Sequence, residues 1–202
     1  MAITIPSPPS SVSGGREIHG DRARWAQWYE RELGWATAGT EPVRLLTGLR
    51  FDVLQVPAAV GHAVLRRVDR TGPVALSGAR MNLLVAAGSA EELPGLLDWL
   101  EWGGVTLSLT AFGAGGRITA PVPPGRMAGR PGAAAWLRPP GPRHEEGSEL
   151  PALAGLGSRG GGAPDLVRLV DAVATECHRA RLMRARTGLS ADGPTAQPLA
   201  FS

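Results

Sequence analysis

Glu176-Cys177-His178 places a thiol beside an imidazole, the pair that a cysteine nucleophile needs. Adjacent side chains on a helix point about 100° apart, so these two cannot easily meet. Cys177 also continues an apolar stripe, which reads as a buried structural cysteine. A second group is Gly113-Ala-Gly-Gly-Arg117. Its consecutive backbone N–H groups could cradle a phosphate, with Arg117 beside them. The plainer reading is a hairpin turn whose glycines take positive φ. A third group runs from His178 to Arg186 and carries Arg179, Arg181, Arg184 and Arg186 with no acid. Arginines at a helix C-terminus complement the dipole; the same set could contact phosphates or a partner. Arg66, Arg67 and Arg70 read as a solvated helix face. Trp25, Trp28, Tyr29 and Trp35 could stack on bases, but their helical spacing fits a core. Trp99 and Trp102 are expected to pack on a sheet with Leu96 and Leu100. Glu91, Glu92, Asp98 and Glu101 read as a solvated face. No Ser-His-Asp set can be assembled from sequence order.

Composition removes several chemistries. All 21 basic residues are arginine. Without lysine there is no Schiff base and no Gly-Lys-Ser/Thr phosphate loop. The single cysteine excludes an internal disulfide and a multi-cysteine metal site. His19, His62, His144 and His178 form no His-x-x-x-His pair. The net charge is only +3, so the basic balance is a weak pointer to nucleic acid. The uncharged stretch Trp102–Gly116 is broken by glycines and shorter than the roughly 20 apolar residues a spanning helix needs. The N-terminal stretch lacks the pattern of a signal peptide. These features predict a soluble, cytoplasmic protein with no membrane partner.

Several elements must position these groups. Residues 1–17, rich in proline and serine, read as a flexible tail. A helix is expected over Asp21–Leu33, capped by Asp21 and stopped at Gly34. Val43–Thr47 and Phe51–Val56 read as strands. A helix follows from Pro57 to Val68. Strands are expected at Val74–Leu76 and Met81–Ala86. Ser89 with Glu92 forms a capping-box signature for a helix reaching about Trp102. Val105–Ala111 and Arg117–Pro121 read as a hairpin across the glycines. Residues 122–164 are expected to be a Pro/Gly-rich loop with a short segment near Ala133–Leu137. Pro164–Arg186 carries the stripe Leu166, Leu169, Val170, Val173, Ala174 and Cys177, so it reads as a long helix. The last residues, 187–202, read as a disordered tail. The order of elements implies one α+β (mixed α/β) domain at 18–186, a mixed sheet flanked by helices.

Three short motifs in order suggest a family. Trp28-Tyr29, Leu33-Gly34-Trp35, Thr47-Gly48 and Phe51-Asp52-Val53-Leu54-Gln55-Val56-Pro57 resemble the start of the bifunctional DNA primase/polymerase N-terminal domain. Gly72-Pro73, Ser77-Gly78-Ala79-Arg80-Met81 and Leu84-Val85 resemble its central turn and strand. Leu107 to Pro124, with Gly115-Gly116 inside, resembles its late Gly-Gly and Ala-Pro-Pro element. The resemblance covers roughly residues 22–140.

That resemblance implies two-metal nucleotidyl transfer, which needs closely spaced carboxylates. The family's Asp-x-Asp pair would fall on Val53 and Gln55, or on Gln55 and Pro57, beside the lone Asp52. Its histidine would fall on Met81 or Asn82. Its third aspartate would fall on Ser108 or Thr110. None of the required residue types stands at its motif. The degenerate positions Asp52, Gln55, Asn82 and Ser108 are therefore expected to share a cleft without catalysing transfer. The leading expectation is an inactive domain that binds DNA or nucleotide through Arg117 and the terminal arginines, with no cofactor. One alternative is a protein-interaction or regulatory module. Another is an active polymerase using magnesium or manganese on relocated ligands, such as Asp52 with Asp69 or Asp98.

Overall fold

Alternation along Phe51-Asp-Val-Leu-Gln-Val-Pro sets the architecture. A strand sends successive side chains to opposite faces. Phe51 and Val53 thus face one way, while Leu54 and Val56 face the other. All four are buried, the first pair in one core and the second pair in another. The computed structural model describes residues 24–39, 41–126, 133–141, 150–153 and 165–191.

The first helix, α1 (24–33), begins as α-helix and ends in a π-helical turn, Tyr29–Leu33. Gly34 closes it at φ 63°, the left-handed conformation glycine adopts freely. The expected cap Asp21 lies outside the described residues. The strands are β1 (Thr37–Ala38), β2 (Arg44–Leu46), β3 (Phe51–Pro57), β4 (Val74–Ser77), β5 (Arg80–Ala86), β6 (Thr110–Phe112), β7 (Arg117–Thr119) and β8 (Ala135–Arg138). Between them run α2 (Ala58–Leu65) and α3 (Ser89–Trp99), and α4 (Leu166–Ala191) follows β8. The strands form two antiparallel sheets, not the single mixed sheet expected. One has order β1-β2-β7, the other β6-β3-β5-β4-β8.

On one face of the larger sheet lie α2, α3 and α4. They cover Leu54, Val56, Met81, Leu83 and Val85 with Val60, Val64, Leu93, Leu96 and, from α4, Leu166, Leu169, Val170, Val173 and Cys177. The approach of α2 is close: a Cβ at Gly61 would stand 2.2 Å from Met81 Sδ. The other face is covered by α1 and the small sheet, which bring Tyr29, Trp35, Leu45 and Ile118 onto Phe51, Val53 and Leu84. Each aliphatic side chain buried this way contributes about 1.5–3 kcal/mol. The α+β class expected from the order of elements is the one observed.

Four local expectations fail, each for a tertiary reason. Thr110–Phe112 and Arg117–Thr119 do not form a hairpin. The first pairs with β3 and the second with β2, so the glycine turn carries the chain from one sheet to the other. The capping box at Ser89 does not form. Gly88 is the N-cap, no side chain of its own caps the helix, and Ser89 is buried as the first helical residue. Trp99 does not pack on the sheet and is 72% exposed. Glu101 takes φ 65°, which turns the chain so that Trp102, not Trp99, meets α4. Finally, α4 continues past Arg186 to Ala191, into the stretch expected to be a tail. Within the expected loop at 122–164, residues 135–138 form a strand beside β4. The N-terminal tail lies outside the described residues.

Candidate functional site

Register on the larger sheet brings the motif positions together. Gln55 of β3 stands opposite Asn82 of β5 and opposite Thr110 of β6. Directly paired residues share a face, so these three form one row across neighbouring strands. Gln55 Nε2 donates to Asn82 Oδ1 at 2.9 Å. Asn82 is buried, Gln55 half-buried, and Thr110 exposed on the edge strand β6. Val53 lies on the same face, one row away, but is fully buried beneath the aromatic cover. Among the alternative positions weighed from sequence, geometry groups Gln55, Asn82 and Thr110. Met81 faces the helices instead.

Asp52 and Ser108 do not join this row. Asp52 has the opposite strand parity and projects toward α3. It is 1% exposed, and its Oδ2 accepts from the backbone N–H of Ala90 at 2.9 Å. A carboxylate there meets both an orphan donor and the positive end of the helix dipole. Its Oδ1 has no hydrogen-bond partner. Sequence reasoning missed this cap because the acid lies 38 residues before the amide it serves. Ser108 is exposed in the segment before β6.

The row holds no carboxylate. Its groups are two amides and a hydroxyl, and magnesium in such centres is held by carboxylates. Asp52 and Asp98 lie at opposite ends of α3, separated by about 12 Å of helix at 1.5 Å per residue. Asp69 lies in the exposed segment after α2. Among the described residues, no three His, Cys, Asp or Glu side chains gather as a metal-holding group.

The glycine turn is committed to structure. Thr47 Oγ1 donates to the Gly113 carbonyl at 2.6 Å, and Gly116 N–H donates to the same carbonyl at 3.0 Å. Thr47 N–H donates to the Gly116 carbonyl at 3.0 Å. Gly48 lies so close that a Cβ on it would stand 2.2 Å from Ala114 Cα. One N–H of the imagined phosphate cradle is therefore already used. Arg117 is exposed on β7.

The α4 arginines divide into two sets. Arg179 pairs with Glu176 at 3.1 Å, and Arg67 of the segment after α2 pairs with the same carboxylate at 3.0 Å. Glu176 is buried, so these arginines neutralise an acid inside the α2–α4 contact. Arg181 donates to the Thr106 carbonyl at 3.3 Å. Arg184 and Arg186 are exposed further along. The buried acid escaped sequence reasoning, although Glu176 and Arg179 stand at helical i,i+3 spacing.

Cys177 and His178 diverge as helix geometry requires. Cys177 is buried, and burial above all pushes its thiol pKa up, against smaller lowering effects from the Ser108 backbone and Arg184. The His178 ring instead packs 5.8 Å from the Trp102 ring. In the aromatic cluster, Tyr29 donates its hydroxyl to the Pro121 carbonyl at 2.7 Å and accepts from Trp136 Nε1 at 3.0 Å. Trp35 packs 4.5 Å from Phe51. These aromatics form core. No helix among the described residues is long and apolar enough to cross a membrane. No family model, curated protein or solved structure matches the chain.

Proposed function

We propose that this chain is a primase/polymerase-like domain, acting in the cytoplasm, that binds nucleotide or nucleic acid without transferring nucleotides. One observation carries the reading. The positions of three separate motifs, Gln55, Asn82 and Thr110, fall in register on one face of three adjacent strands. Asp52 and Ser108, expected beside them, stand apart. The residues there fit recognition and not metal-assisted transfer. The half-buried Gln55 carbonyl and the exposed Thr110 hydroxyl remain to meet the donor and acceptor edges of a base or sugar, with the buried Asn82 holding Gln55 from behind. Arg117, with the exposed Arg184 and Arg186, supplies positive charge for phosphate.

Fluorescence anisotropy with labelled single- and double-stranded DNA, beside nucleotide titrations, tests this. Binding is expected to weaken from low to physiological salt and to persist in chelator. Thr110→Glu, which places like charge at the exposed end of the row, weakens it further. Primer extension with magnesium or manganese yields no product. Flat titrations at low salt for every probe would sink the proposal, as would binding that ignores Thr110→Glu.

A further inference from the structure

Beside α3, the 102–109 segment folds back to leave an apolar groove of about 290 Å³. Its walls include Leu93, Pro94, Leu97, Trp102, Val105 and Leu107. The surroundings are acidic. Asp98 lines the groove, Glu91 and Glu101 are exposed on and just after α3, and the last turn of α3 carries no basic residue. An unfilled apolar groove beside acids fits an apolar helix face flanked by cations.

The chain carries such a helix. Arg181 ties α4 to the 102–109 segment through the Thr106 carbonyl. Just beyond, Leu182 is 48% and Met183 56% exposed. Arg181 and Arg184 flank them, and no acid occurs between Glu176 and Ala191. Phosphate would satisfy the arginines but not the two apolar side chains between them. The acidic, apolar groove satisfies both.

We propose that two copies of this chain associate through reciprocal docking, the Leu182–Met183 end of each α4 lying in the α3 groove of the other. The Arg181–Thr106 contact places the helix end and the groove on either side of one loop. With the two surfaces adjacent on one copy, the same pair can meet twice across a twofold axis. Each half buries apolar side chains at its centre and pairs opposite charges at its rim. This goes beyond the nucleotide-binding reading and does not depend on it.

Sedimentation equilibrium of the full chain, from low micromolar to several hundred micromolar, tests the proposal. A monomer–dimer equilibrium is expected, tighter at low salt. Leu182→Ala/Met183→Ala keeps good helix formers at two exposed sites, so the fold survives. It is expected to weaken association at least tenfold, with unchanged circular dichroism and melting temperature. Arg184→Glu is expected to weaken association and flatten its salt dependence. A monomer mass at every concentration in low salt overturns the proposal. So does a dimer whose constant the Leu182/Met183 variant leaves unmoved. If the chain stays monomeric and that variant instead loses DNA binding, the helix end belongs to nucleic acid and self-association is refuted.

Discussion

Replacing Asp52 separates two roles that an acid in this motif could have. In the structure it caps α3, accepting from Ala90 N–H at 2.9 Å while 1% exposed. Asp52→Ala removes the acceptor and strands that amide. Losing an N-terminal cap costs about 0.5–2 kcal/mol, and losing a hydrogen bond to a charged group about 1.5–3 kcal/mol. These overlap, so the expected loss is about 2 kcal/mol, or about 4–8 °C in Tm for a domain of this size. Asp52→Asn keeps an oxygen facing Ala90 and gives up only the charge–dipole attraction, about 0.3–1 kcal/mol. It also replaces an unpartnered buried oxygen of the carboxylate with an unpartnered NH2, so relief of the charge and the cost of the stranded donor largely offset. The expected order is wild type, then Asn close behind, then Ala well below. Calorimetry or urea titration gives it directly, beside nucleotide binding with and without magnesium. If Asn is as damaging as Ala, or if Ala leaves Tm unchanged while abolishing a magnesium-dependent signal, the capping argument is wrong and Asp52 is a ligand.

Further outcomes follow from the core. Tyr29 is the only tyrosine, so absorbance near 295 nm reports it alone. Burial raises its pKa well above the ordinary value near 10, slightly offset by the hydrogen bond from Trp136. The stability it contributes is complete below pH about 10, where the unfolded phenol is also neutral, and is lost as pH rises above that. Ionisation should thus coincide with alkaline unfolding; a reversible native titration near pH 10 would contradict the burial. Cys177 should resist alkylation in the native state and react only as the chain opens, so rapid labelling without denaturant would refute its placement. Gly48→Ala puts a Cβ 2.2 Å from Ala114 Cα at φ +85°. Positive-φ strain of about 1–3 kcal/mol, with the backbone shift added, should cost more than the Asp52→Ala cap loss; a near-wild-type Tm would mean the two loops are not in contact.

Legibility followed the range of the forces involved. The α4 stripe, the β3 and β5 strands and the glycine stop after α1 depend on neighbours within a few residues, so their spacing alone located them. Burial of Cys177 was legible in the same way. The hairpin expectation at Gly113–Gly116 failed because the turn is held by Thr47 and Gly48, from a segment 66 residues away in the case of Thr47. Ser89 and Glu92 looked like a local cap, but Gly88 and distant Asp52 had already met the need. The arginines of α4 looked alike in sequence. Only the packing of α2 on α4 shows that Arg179 answers a buried Glu176 while Leu182 and Met183 stay uncovered.

Strand parity explains why the acid that remains near the first motif cannot serve the row. Asp52 and Gln55 are three residues apart, so they face opposite sides of the sheet. Moving a carboxylate to the row means changing Gln55, Asn82 or Thr110, or Val53 one row away. Val53 is now fully buried against the aromatic cluster. An ionised side chain there would have no partner, and burying an unpaired charge is far more costly than any single aliphatic contact is favourable. Gln55 and Thr110 retain access to solvent and could accept an acid, but one or two carboxylates without the third do not enclose two cations. On the proposed reading, metal chemistry at this row is therefore blocked at the core and not at the surface. The position that a transferase would use for charge here contributes to holding the two sheets together. In the proposed reading, what remains for recognition is the half-buried Gln55, held by the buried Asn82, and the exposed Thr110 beside it.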